Sequence, residues 1–81
     1  MPNKLKVLSG KEVIKIFEKF GFLILRTNGS HVSLKYKTKL KEMHTTIPLH
    51  KELKKGTLKN IVKDFEFCFG LEKCNHEFYN K

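Results

Sequence analysis

Four histidines, a band of lysines and two cysteines are the side chains in this chain whose chemistry could go beyond packing. His31 stands directly after Gly29 and Ser30. An imidazole titrates near pH ~6.5 in its reference state, so it can take or give a proton at neutral pH. Against RNA that capacity is enough to break a strand, because the 2′-hydroxyl supplies the nucleophile; one well-placed proton transfer contributes about 10² to 10⁴ in rate. Gly29 would let backbone amides approach a phosphate, Ser30 adds a hydroxyl, and Lys35, on the same strand face, could stabilise developing negative charge. By residue type alone, an ordinary exposed histidine after a hairpin turn is the favoured reading of His31. His44 and His50 read more simply as strand caps or phosphate contacts, with His50 the better second proton-transfer partner. Lys51, Lys54 and Lys55, followed by Thr57 at a helix start, would form a phosphate seat through charge and amide donors. A solvated loop is the competing reading of that segment.

The cysteines offer less. Cys68 and Cys74 are separated by five residues, which fits no common zinc spacing, and no second pair precedes them. His76 near Cys74 does not complete a ligand set. Reduced thiols are expected, with no metal and no cofactor.

The charge balance points to the partner. With 17 Lys and Arg against 8 Asp and Glu, the 81-residue chain carries a net +9. Clustered cations release condensed counterions from phosphates, so nucleic acid is favoured over a merely lysine-coated surface. Arg26 is the only arginine. The lysines therefore suit phosphate contact better than bidentate reading of bases. No apolar run approaches the roughly 20 residues a membrane-spanning helix needs, so no membrane association is expected. Lys4 and Lys6 have no long apolar stretch behind them, and a cytoplasmic location is expected rather than secretion.

These side chains need a scaffold, and the length permits one domain spanning 1–81. At this size only about 60% of the unfolded chain's surface is buried, so one compact layer of helices on a sheet must supply the core. Ser9 with Glu12 is a capping box that opens a helix. Val13, Ile16, Phe17 and Phe20 then form an apolar stripe, and Gly21 stops it. Phe22 to Thr27 reads as a strand closed by Asn28-Gly29, a strong hairpin signal. Val32, Leu34 and Tyr36 alternate with His31, Ser33, Lys35 and Lys37, which predicts a strand with His31 on its wet face. Met43 to Leu49 alternates again, and Pro48 places that strand at an edge or ends it. Thr57 offers an N-cap for a second helix striped by Leu58, Ile61, Val62 and Phe65, extending to Cys68 and Phe69 before Gly70. Leu71 to Tyr79 has room for a short third helix. The expected fold class is α+β, with the order helix, three-stranded antiparallel sheet, helix, as in double-stranded-RNA-binding domains.

Five short stretches carry a more specific resemblance: Ser9 to Ile14, Phe20-Gly21-Phe22, Gly29-Ser30-His31, Ile47-Pro48-Leu49-His50 and Lys55-Gly56-Thr57-Leu58. In this order they resemble the HicA (YcfA-like) toxin family, across about Leu8 to Val62. Lys55 stands where that family usually has Pro, Glu66 where it has a Gly, and the stretch after His50 is shorter. The resemblance implies the toxin of a type II toxin–antitoxin system: a metal-independent endoribonuclease, or mRNA interferase, that cuts mRNA with the histidine of the Gly-Ser-His motif, here His31. It implies an antitoxin of the HicB type that covers the His31 face. The alternatives are a non-catalytic RNA-binding module of the same fold and, more distantly, an interaction domain for an acidic protein.

Overall fold

In the computed structural model, which describes residues 4–80, the elements run β1 (Lys4–Leu5), α1 (Gly10–Lys19), β2 (Leu23–Asn28), β3 (His31–Lys37), β4 (Glu42–Pro48), α2 (Lys55–Phe69), α3 (Leu71–Phe78) and β5 (Tyr79–Asn80). Met1 to Asn3 and Lys81, which the one-domain reading of 1–81 includes, lie outside the described residues.

Helix α1 begins as its local chemistry dictates. The Glu12 amide donates to Ser9 Oγ at 3.1 Å, and the Ser9 amide donates to Glu12 Oε1 at 2.8 Å. Its end is equally local: the Gly21 amide donates to the Glu18 carbonyl and the Phe22 amide to the Phe17 carbonyl, with Gly21 at φ +110°. That pair of bonds is a Schellman stop, and its accompanying apolar contact is Phe17 against Phe22, with ring centroids 4.7 Å apart. The buried stripe is Gly10, Val13, Ile14 and Phe17, while Ile16 and Phe20 are half-buried. The helix is thus rotated from the expected stripe because Gly10 presses on the end of β4. A Cβ at Gly10 would run into the Pro48 carbonyl oxygen and lie 3.0 Å from Leu49 Cα. Both obstacles are backbone, so Gly10→Ala must push α1 off β4. A loss of about 1–3 kcal/mol is expected, measurable by denaturant unfolding.

The strands β2, β3 and β4 form one antiparallel sheet in the order β2-β3-β4. Asn28 pairs with His31, so the two-residue turn is Gly29-Ser30 rather than Asn28-Gly29. Gly29 takes φ +63°, the sign a II′ turn needs at its first central residue, and no non-glycine residue has positive φ among the described residues. Strand β4 is an edge strand and ends at Pro48, which has no amide to offer a further strand. One face of the sheet is apolar: Val32, Leu34 and Ile47 pack with Val13, Ile14 and Phe17 of α1, Leu58, Ile61, Val62 and Phe65 of α2, and Cys74 and Phe78 of α3. The observed fold is α+β, a three-stranded antiparallel sheet with helices against its apolar face.

Two features differ from the expected pattern. Helix α2 starts at Lys55 with Lys54 as N-cap, so Thr57 sits inside the first turn and is not the cap. Burial decides this over cap propensity: Leu53 is only 4% exposed and its amide donates to the Leu8 carbonyl at 2.9 Å, which fixes where the chain turns into the helix. The third helix does form, and β1 pairs with β5 beside it, with the Lys6 amide on the Phe78 carbonyl. Among the described residues, no helix is long and apolar enough to cross a membrane.

Candidate functional site

Strand alternation sets the site. Since Val32 and Leu34 point into the core, His31, Ser33 and Lys35 point the other way, onto the sheet face that no helix covers. Residues in register share that face: Asn28 and Pro48 flank His31, Arg26 and Thr46 flank Ser33, and Leu23 and His44 flank Lys35. His31 is exposed and is the first residue after the Gly29-Ser30 turn.

Backbone bonds gather several sequence-identified residues at this end of the sheet. The Leu49 amide donates to the Ser30 carbonyl at 2.6 Å, which carries the pairing past Pro48 and holds His50 beside the turn. The Gly10 amide in turn donates to the His50 carbonyl at 2.9 Å. On the same segment the Leu53 amide donates to the Leu8 carbonyl, and the start of α2 turns towards β1, with Lys55 lining a pocket beside Leu5, Lys6 and Val7. The Lys55, Gly56 and Thr57 amides are in the first turn and have no intrahelical acceptor, and the Lys54 side chain does not cap them.

Lys35 is not brought to His31. It stands four residues further along β3, about 13 Å away at the rise of a strand. There Lys35 Nζ lies 3.7 Å from Glu42 Oε2, and His44 Nε2 lies 3.1 Å from the same oxygen. Lys35, Glu42 and His44 are thus a separate exposed cluster. Elsewhere the positive charge is largely unpaired: among the described residues, only Lys19 and Lys35 of the lysines lie within 4.0 Å of a carboxylate.

The thiols are structural. Cys74 is 1% exposed, and burial, with the Glu66 carboxylate adding to it, raises its pKa from 9.0 to about 11. Burial also raises the half-buried Cys68, against the opposing pull of Lys41. The folded chain holds the Cys74 proton more tightly than the unfolded one. That contribution to stability is complete below pH about 9 and is lost as pH rises towards about 11. Iodoacetamide at pH about 8 should leave Cys74 unmodified in the folded protein and label it after denaturation, as read by mass spectrometry. No group of three or more His, Cys, Asp and Glu side chains among the described residues is arranged to hold a metal ion.

Sequence reasoning missed the surface beside this site. Leu23, Ile24 and Leu25 of β2, apolar residues of the run read as a strand, are 70%, 46% and 55% exposed. A bulge between Ile24 and Arg26 shifts the register there.

A family model described as "HicA toxin of bacterial toxin-antitoxin" matches residues 10–67. That span contains α1, the whole three-stranded sheet, the Gly29-Ser30-His31 turn and most of α2. No curated protein and no solved structure matches the chain.

Proposed function

The chain belongs to the HicA toxin family of bacterial toxin–antitoxin systems, and from that premise we propose that it is a cytoplasmic, metal-independent endoribonuclease that cuts mRNA with His31. The observation that carries this reading is the position of His31: exposed, on the sheet face left open by the helices, immediately after a glycine-led turn. His31 takes the proton of a 2′-hydroxyl; the oxygen attacks the adjacent phosphorus; the bond to the 5′-oxygen breaks, and that oxygen leaves with a proton. The products are a 2′,3′-cyclic phosphate and a 5′-hydroxyl end. RNA supplies the nucleophile, so the step needs no metal-bound water.

The remaining roles follow from position. Gly29 leaves open space around its Cα, which lets a phosphate approach the turn, and the Ser30 hydroxyl is a donor beside it. His50, held next to the turn through Leu49, gives its own proton to the leaving oxygen as the general acid, or contacts phosphate. Lys54 and Lys55, with Thr57 and the open amides of α2, hold the flanking backbone of the RNA. Lys35 serves the backbone further along the open face and not the reacting phosphate. The family also carries a cognate antitoxin; we assign it the HicB type and the His31 face as its seat.

The test is incubation of purified protein, wild type and His31→Ala, with labelled mRNA in EDTA, followed by gel analysis. Cleavage by the wild type alone supports the reading. Intact RNA with both proteins, together with gel shifts that weaken steeply with salt, would replace it by the non-catalytic RNA-binding module.

A further inference from the structure

We propose that the bulged outer edge of β2 is the anchoring surface for an acidic polypeptide partner, the cognate antitoxin, which inserts an apolar side chain against Leu25 and sets a carboxylate on Arg26. This rests on the toxin–antitoxin reading above and specifies where on the molecule the partner is held.

Three consecutive large apolar side chains, Leu23, Ile24 and Leu25, are exposed on an edge strand. Single exposed leucines are ordinary, but a contiguous apolar stretch on an open edge is an aggregation hazard unless something covers it. Beside Leu25 the surface sinks into a groove of about 420 Å³ lined by Leu25, Arg26, Ser33, Leu34, His44 and Thr46. The groove therefore has an aliphatic wall, hydroxyl donors and one guanidinium. No carboxylate among the described residues lies within 4.0 Å of that guanidinium, although Lys35 and His44 nearby both share Glu42.

The occupant follows from this chemistry. RNA gains little from the aliphatic wall, since single strands are held by aromatic platforms and cations. A second copy of this chain would bring +9 against +9, and like charges oppose such an encounter. An acidic protein segment satisfies both parts, because apolar contact fills the groove and a carboxylate meets Arg26 in bidentate geometry. The bulge interrupts the ladder at Leu25, so recognition runs through side chains and not through a continuous added strand. Arg26 is in register with Ser33, two residues and about 6.6 Å along β3 from His31. A partner anchored there lies over His31.

The test measures binding of the cognate antitoxin chain by calorimetry, with the wild type, Arg26→Glu, and the double variant Leu25→Ser, Arg26→Glu. Affinity should fall about tenfold for the single variant and about 100-fold or more for the double one, as at other interface anchors. Both substituted positions are exposed, and matching melting temperatures will show that the variants fold. Unchanged antitoxin affinity would overturn the proposal, as would a loss of RNA affinity with antitoxin binding intact, which would give the groove to RNA. The readout is protein–protein binding, so failure of the ribonuclease reading would leave this outcome interpretable.

Discussion

On the proposed function, His31→Ala is expected to lower RNA cleavage by at least about 10²-fold, the usual contribution of one positioned proton-transfer group, and to remove the growth arrest expected of the wild type on expression. Melting temperature should not follow. His31 is exposed at the first position of β3, its side chain makes no hydrogen bond or ion pair among the described residues, and its in-register neighbours are Asn28 and Pro48. A surface change of this kind normally moves stability by no more than about 0.5 kcal/mol. RNA affinity should also stay within a few-fold, because the unpaired lysines and not this imidazole supply the charge. The separation matters. A fall in cleavage together with a fall in melting temperature would mark a folding defect, and retained cleavage would remove His31 from the active site.

Legibility from sequence tracks the range of the forces involved. Helix α1 was readable at both ends because Ser9, Glu12 and Gly21 satisfy orphan amides and carbonyls within a few residues of themselves. Strand alternation likewise put His31 on the wet face, since Val32 and Leu34 had to be buried together. Helix α2 starts before Thr57, the better cap side chain, because the fold obeys a distant constraint, the burial of Leu53 and its backbone bond to Leu8. Lys35 shares the open face with His31 but stands apart along the strand. Sharing a face with His31 does not bring two residues together when four strand rises separate them. The pairing of β1 with β5 joins the two ends of the described chain, and no local pattern announces it. The exposed edge of β2 was hidden for a related reason: an apolar run identifies a strand, but which sheet edge the helices leave open depends on where α2 and α3 pack.

The third helix, for which the sequence merely leaves room, is part of the core through Cys74 and Phe78, and its junction with α1 and α2 carries the largest expected loss of stability. Phe65 is fully buried, with its ring centroid 5.4 Å from Phe17, 4.9 Å from Phe20, 4.8 Å from Phe69 and 4.9 Å from Phe78. It is therefore the residue through which α1, α2 and α3 meet. Phe65→Ala deletes contacts to all three helices and leaves a cavity that fixed backbones cannot fill, at about 3–5 kcal/mol. A chain of this length has a total stability of about 4–12 kcal/mol, so the variant should melt about 15–30 °C lower and lose toxicity in cells without any change at His31. Phe67, two residues on, is the control. It is 59% exposed and its ring meets only the Lys41 ammonium, 4.9 Å from the centroid, among the aromatic and cationic contacts of the described residues. Phe67→Ala should cost under about 1 kcal/mol. Equal melting temperatures for the two variants would mean that α3 is not packed on α2 through Phe65, and the role of Phe78 and Cys74 in the core would fall with it.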